Sequence, residues 1–429
     1  MPWSKMPASP RFVFALFLSA LLPLWLGAVR LSVAQEGNAQ ENAAGPDDGR
    51  LLGAEQAIRM RGELTHCRQR WTETGRGTVA FLGGSITEMQ GYRPLVMASL
   101  RQRFPEVEFQ FVNAGIASTC SHTGAFRLHH DVLSAKPDLL FVEFAVNDDQ
   151  DAGHSYQDAV RGMEGIVRAA KSVEPTMDLV MIHFVNESML ETVQAGGVPI
   201  SIRAHESVAK HYGISTCNVA EALASRIQAG TMTWKDYGGV HPGAAGNRLA
   251  ADLVDQLLDR AWSKDIATPT DTADPSNAAD PLPEPLDVAN FDHGRFLSPD
   301  QIDLGPGWQH EVPAWKSVAG SLRSRFENQP LTYSDQPGAE LRIDFSGSAV
   351  GLYVLAGPDA GQVQYSIDDG PWQTLDLYHR FSLGLHYPRT VVLGAGLERG
   401  EHQVRVRVGS QHDPRSRGTA VRVVQFVAS

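Results

Sequence analysis

Val79-Ala80-Phe81-Leu82-Gly83-Gly84-Ser85-Ile86-Thr87-Glu88-Met89-Gln90-Gly91-Tyr92 is the stretch on which the reading of this chain turns. Its first four residues form a continuous apolar run, which suits a strand buried on both faces of a parallel sheet. Gly83 and Gly84 then let the backbone turn tightly, with no Cβ in the way of a ligand. Ser85 is left on the rim of the sheet, at the start of a helix. That is a nucleophile's position, because the first amides of the helix can hold a developing negative charge. The same pentapeptide also reads as an ordinary strand-to-helix turn capped by Ser85, so the surrounding chain has to decide.

Outward from this turn, short apolar strands are expected at 78 to 83, 108 to 113, 138 to 146, 178 to 185 and 214 to 218. Helices fill the gaps near 90 to 104, 123 to 135, 156 to 172, 200 to 212 and 219 to 229, with a last one near 244 to 262. The alternation predicts a flavodoxin-like three-layer α/β/α sandwich with a five-stranded parallel sheet over residues 50–262, and ligands at the carboxyl ends of the strands. Ser85, Gly115, Asn147 and Asn186 all fall at such ends. Leu51 to Trp71 reads as an amphipathic helix leading into the first strand.

Upstream, Lys5 and Arg11 precede the apolar run Phe12 to Val29, and Ser32-Val33-Ala34 offers the small residues a signal peptidase reads. Residues 1–34 are therefore expected to be a signal peptide, removed on export to a periplasmic or extracellular location. Residues 35–49 are polar and expected to be disordered. Downstream, the Pro-rich composition of 263–285 is that of a linker. Beyond it, runs such as Glu340 to Phe345, Val350 to Leu355, Gln403 to Val408 and Ala420 to Val427 alternate with period two, and Asp368-Asp369-Gly370 is a good hairpin turn. Residues 286–429 accordingly read as an antiparallel β-sandwich of jelly-roll type. On such a linker it should fold alone, so a chain ending near Trp262 is expected to keep activity on small esters.

Composition narrows the chemistry. At 429 residues, 42% hydrophobic and 20% charged, the chain is long enough for two cores. A formal net charge of −12 repels nucleic acid and anionic membrane surfaces, so neither is an expected partner, and a neutral substrate fits better. Cys67, Cys120 and Cys217 allow at most one internal disulfide, and no Cys-x-x-Cys or His-rich spacing points to zinc.

Three further blocks change the odds on Ser85. The second strand ends Asn113-Ala114-Gly115, placing a glycine amide beside the turn. The third ends Ala145-Val146-Asn147-Asp148, delivering a side-chain amide donor to the same rim. Gly238-Gly239-Val240-His241-Pro242 puts a histidine in the loop before the last helix. Each block is weak alone, but Ser, Gly, Asn and His on successive rim loops of one sheet are a specific coincidence. Other residues have structural readings first: His122 as a helix start that could line a cleft, Asp148 as a brace for the Asn147 loop, Glu143 as a paired core carboxylate. Tyr378-His379-Arg380 and His386-Tyr387-Pro388-Arg389 gather groups that a sugar-binding face or a plain sandwich loop would carry.

Together the blocks resemble those of the SGNH (GDSL-type) hydrolase superfamily, in the branch with Gly-Gly-Ser-Ile-Thr in place of Gly-Asp-Ser-Leu, over about residues 75 to 262. The resemblance implies Ser85 as nucleophile, the Ser85 and Gly115 amides with the Asn147 side chain as oxyanion hole, His241 as base, and no metal or organic cofactor. The chain also resembles members that pair this domain with a β-sandwich, many of which look like carbohydrate esterases. The implied function is a secreted serine esterase cleaving O-acyl, most simply O-acetyl, groups from carbohydrate. A lipase or thioesterase-type acylhydrolase and a catalytically impaired glycan-binding protein stay open as alternatives. One departure matters: the family usually carries Asp three residues before the histidine, and here that position is Gly238. Asp236, five residues before His241, or a backbone carbonyl would then have to orient the ring.

Overall fold

The computed structural model describes residues 57–263 and 281–429. The expected signal peptide, the polar segment 35–49 and most of the expected linker lie outside the described residues.

Parallel strands β2 (Arg76–Gly83), β3 (Glu108–Gly115), β4 (Leu139–Glu143), β5 (Asp178–His183) and β6 (Ser215–Asn218) form the expected sheet, and β1 (Ile58–Arg59) adds an antiparallel edge, in the order β1-β6-β5-β4-β2-β3. The five parallel strands thus run 2-1-3-4-5 in their own sequence order, the flavodoxin-like arrangement. β4 and β5 are buried at every position, as continuous apolar runs covered on both faces must be. Helices α1 (Thr65–Thr74), α2 (Ser85–Glu88), α3 (Tyr92–Arg103), α4 (Ser121–Asp131), α5 (Tyr156–Val173), α6 (Glu187–Gln194), α7 (Ile200–His211), α8 (Val219–Gln228), α9 (Trp234–Tyr237) and α10 (Ala244–Ala261) connect and cover it.

The helix expected from Leu51 to Trp71 is shorter in the structure. The Arg61 and Gly62 amides are spent on the Ser215 hydroxyl at 2.9 and 3.1 Å, which keeps this segment extended beside β6 and delays the helix to Thr65. Cys67, Cys120 and Cys217 are buried free thiols. No helix among the described residues is long and apolar enough to cross a membrane.

The C-terminal part is one antiparallel sheet of nine strands: β7 (Arg295–Phe296), β8 (Ile302–Leu304), β9 (Gln309–Glu311), β10 (Leu331–Ser334), β11 (Glu340–Ala356), β12 (Gln362–Ile367), β13 (Gln373–Asp376), β14 (Tyr387–Val408) and β15 (Val421–Ala428). It doubles over on itself because β11 and β14 run its full length and bend. The segments read from sequence as separate strands, 340 to 345 and 350 to 355, are two halves of β11, joined through register shifts at Gly347/Ala349 and Val350/Gly351. A bulge bends a strand without ending it. The Asp368-Asp369-Gly370 turn forms as expected, with both aspartates at positive φ (49° and 55°) and the Gly370 amide closing on the Ile367 carbonyl at 2.8 Å.

Two cores flank the parallel sheet. One packs Phe81 and Phe141, stacked at 5.1 Å, against residues of α1, α3, α8 and α10. The other lies under α4 and α5 and continues without a break into the C-terminal sheet, joining Phe126 and Ile166 to Phe291, Phe326, Tyr353 and Val427. The segment leading to that sheet is bound along α5: buried Glu164 accepts the Leu286 and Asp287 amides at 2.6 and 2.8 Å, and Gly165 lies so close to the Phe291 backbone that a Cβ would come within 2.8 Å of it. Shared packing of this kind does not support the expectation that the sandwich folds and functions apart.

Candidate active site

The apolar β2 delivers Gly83, Gly84 and Ser85 to the carboxyl edge of the sheet. Both glycines are required by close approach. A Cβ on Gly83 would stand 2.3 Å from Thr87 Oγ1, and one on Gly84 would stand 2.0 Å from Asn147 Oδ1. Fully buried Arg127 of α4 donates to the Gly83 carbonyl at 3.1 Å and pairs with Asp131 at 2.9 Å, fixing the strand end. Helix α2 spans only four residues, so its first-turn amides act as individual donors and a macrodipole adds little. Its last carbonyls are taken by buried Arg93, which donates to Thr87, Glu88 and Met89.

His241 Nε2 lies 2.8 Å from Ser85 Oγ. With the ring proton on Nδ1, the hydroxyl donates to Nε2, the geometry in which an imidazole can take a serine proton. Asn147 begins a six-residue π-helix (Asn147–Ala152), and its side chain packs on Gly84. Asn147 Nδ2 donates to Asp151 at 2.6 Å and keeps a second hydrogen to donate. Burial pushes the Asp151 carboxyl up to about 6, against the bonds from Asn147 and Gln150.

Two of the expected site residues are placed otherwise. Gly115 abuts α2, where a Cβ would stand 2.3 Å from the Glu88 nitrogen, but its amide already donates to Asn113 Oδ1 at 3.0 Å. Asp236 is not brought to the histidine. Its carboxylate accepts the Thr233 amide and hydroxyl at 2.9 and 2.6 Å in the capping box of α9, and no hydrogen bond joins it to His241. Gly238 cannot carry the missing acid in this loop either. It caps α9 at φ 106°, and a Cβ there would stand 2.1 Å from the Gly243 nitrogen. The structure shows a Ser85–His241 pair with Asn147 beside it.

Ser118 escaped the sequence reading. It is a non-glycine residue at φ 70° in the turn after β3, a conformation that costs a serine on the order of 1 kcal/mol. It lines a cavity of about 240 Å³ between the α/β domain and the C-terminal sheet, with His122, Asp151, His154, Asp376, Tyr387 and Arg389 among its other walls. His122 begins α4 and also reaches this cavity, its ring 4.0 Å from that of His154. Burial, with His154 next, pushes His122 down to about 3. Asp148 braces the Asn147 loop by accepting the Ser121 amide at 2.8 Å and His205 at 2.9 Å. Although burial opposes its charge, His154 and His205 hold its carboxyl well below the usual range. Cys120, Asp148 and His154 bring possible metal ligands within 4.8 Å of one another, but both Asp148 oxygens are already spent within the protein and we assign no ion to them. Glu143 is buried in the core but not paired as expected: Thr87 donates to it at 3.0 Å, and among the described residues no ion pair reaches it.

Residues 81–249 match the GDSL-like lipase/acylhydrolase family. Among solved structures the chain is similar to a two-domain esterase active on acetylated mannans, co-crystallised with mannopentaose, at a TM-score of 0.69 and 20% identity over 88% of this chain and 97% of the other. A second structure of a two-domain esterase with that description gives 0.67 and 21% over 88% and 98%. At these identities the likeness is one of fold, and it extends across both parts of the chain. No curated protein matches the chain in sequence.

Proposed function

With residues 81–249 a domain of the GDSL-like lipase/acylhydrolase family, we propose that this chain is an exported serine esterase that removes O-acyl, most simply O-acetyl, groups from carbohydrate through an acyl-Ser85 intermediate. The 2.8 Å contact of Ser85 Oγ with His241 Nε2 carries the reading. His241 takes the hydroxyl proton as Ser85 attacks the ester carbonyl, then returns it to the leaving sugar hydroxyl. It next takes a proton from the water that attacks the acyl carbon, and hands that proton to Ser85 Oγ as the carboxylic acid leaves. In this reading the Ser85 amide and the second hydrogen of the Asn147 side-chain amide serve the oxyanion, and each such donor can be worth several kcal/mol in the transition state. Among the described residues no hydrogen bond reaches His241 Nδ1, which supports a Ser-His dyad as the working unit.

The walls of the cavity that Asp151 lines support a sugar substrate. Asp151, Asp376, Arg389 and Tyr387 would set an acyl chain against polar groups, whereas sugar hydroxyls can bond to all of them. The family spans lipases and esterases, and the two-domain neighbour that acts on acetylated mannans points the same way. Ser85→Ala should fold normally and lose ester hydrolysis by orders of magnitude, together with labelling by a serine-reactive phosphonate. Activity at near parental level in that variant would put the chemistry elsewhere. Rates that rise along a series of p-nitrophenyl esters from acetate to decanoate would favour a lipase.

A further inference from the structure

Glu143 closes β4 in register with Gly83 of β2, and the chain runs on from it through Phe144, Ala145 and Val146 to Asn147. One wholly buried carboxyl thus stands where the segments of Ser85 and Asn147 leave the sheet. Thr87, two residues after Ser85 in α2, donates its hydroxyl to Glu143 Oε2 at 3.0 Å, and the Gly84 backbone also bonds the carboxyl. The Thr87 hydroxyl has a single hydrogen, so its 3.1 Å contact with the Tyr92 hydroxyl is donated by Tyr92. The bonds therefore run one way, from the start of α3, through α2, to the end of β4. Glu143 Oε1 is buried with no partner among the described residues. The titratable groups whose charge reaches this carboxyl are Tyr92 of α3, Tyr237 of α9, and Asp148 and Asp151 of the π-helix, and none of them is a cation. Arg93, the cation of this corner, is spent on the carbonyls of Thr87, Glu88 and Met89. With its proton on Oε1 the acid leaves one hydroxyl unpaired, whereas ionised it would leave a buried charge with one oxygen bare, a far larger cost.

We propose that Glu143, acting through Thr87, is a positioning residue for Ser85, and that the esterase works with this carboxyl neutral. Helix α2 has only four residues, too few to hold its own shape, so Ser85 depends on side chains that fasten the turn from outside. Thr87 is the point at which they do so, with Glu143 and Tyr92 on its hydroxyl and Arg93 on its carbonyl. A carboxylate in the same place would fasten the turn equally well but would repel the negative charge that forms on the ester oxygen as Ser85 attacks, and burial leaves little water to screen that repulsion. The neutral acid fastens α2 without opposing the oxyanion. Burial pushes Glu143 up to about 7, so the group loses its proton as pH rises through that value, and hydrolysis should slow over the same range.

This inference rests on the acyl-Ser85 reading, and the experiment separates the two. In the full chain, with p-nitrophenyl acetate, kcat is followed from pH 6 to pH 8.5 in the parent and in Glu143→Gln, which keeps the acceptor for Thr87 but cannot ionise. With each protein normalised to its own rate at pH 6, the parent should end about 5-fold or more below the variant at pH 8.5. Thr87→Val, which keeps the shape and removes the hydroxyl, should lower kcat about 10-fold at pH 6 with KM close to the parental value, and Thr87→Ser should recover most of that loss. A merely structural role for the pair would move Tm without moving the normalised pH profile. Superposable profiles for the parent and Glu143→Gln, a Thr87→Val kcat within twofold of the parent, or a change confined to KM would each overturn the proposal. Should Glu143→Gln fail to fold, Glu143→Met, apolar and of similar size, takes its place in the pH comparison and is judged by the same criterion. Ser85→Ala run alongside tells the failures apart: activity surviving there sinks the acyl-enzyme reading, whereas activity lost there with superposable profiles sinks only the role of Glu143.

Discussion

Glu143 ends β4 directly across from Gly83, so a carboxyl is buried beneath the turn that carries the nucleophile. Burial pushes it up to about 7, against the bonds from Thr87 and the Gly84 backbone, from an ordinary value of 4.5. Between those two values the folded chain binds a proton that the unfolded chain has released, so this group's contribution to stability is complete below about 4.5 and is lost as pH rises to about 7. Glu143→Gln keeps the acceptor for Thr87 but cannot ionise. It should match the parent near pH 4.5 and exceed it at pH 8 by on the order of 1–3 kcal/mol in denaturant unfolding. Identical pH slopes would mean that Glu143 ionises as readily in the folded chain as in the unfolded one. At this scale Ser85, Asn147 and His241 were legible because each sits at a strand end or in a loop that local pattern locates. Ser118 was not, since a left-handed serine has no mark in sequence and the side chains that bond to it, Arg323 and Tyr387, lie 205 and 269 positions away.

At the scale of elements, α9 is a single turn whose capping box engages Oδ2 of the carboxylate that spacing alone offered to His241. Thr233 and Asp236 satisfy each other within the turn, a local arrangement that a three-residue spacing favours over a long reach across two glycines. Asp236→Asn should therefore leave kcat within a few fold of the parent, measured at pH 8 on a small ester. A loss approaching about 10⁴-fold, as in a serine protease triad, would show that the carboxylate swings to the ring during turnover. Gly238 and Gly239, at φ 106° and 88°, set the loop's path and leave no room for a side chain at the first of them. The bent strands are the other lesson at this scale. Gly347 in β11 and Gly394, Gly396 and Gly400 in β14 read locally as turns, and only the pairing of β11 with β14 shows that the chain passes through them as strand.

For the molecule as a whole, ending the chain near Trp262 would remove Phe291, Phe326, Leu331, Tyr353 and Val427 from the core under α4 and α5, leaving a broad apolar face in water. Such a truncated chain should unfold at a lower temperature than the full chain and lose activity on p-nitrophenyl acetate as well as on polymer. Retained activity and an unchanged Tm would show the sheet to be dispensable. The order of strands and helices, the rim that carries Ser85, Asn147 and His241, and the period-two character of the C-terminal part were all written in the sequence by itself, because periods of 3.6 and 2 and the glycine turns between them are properties of neighbouring residues. Which face of α5 the second sheet covers, what bonds to the turn at Ser118, and whether Asp236 reaches the histidine were decided only in the tertiary structure. Each of these depends on groups far apart in the chain competing for the same hydrogen bond or the same apolar surface, and no local pattern records the winner.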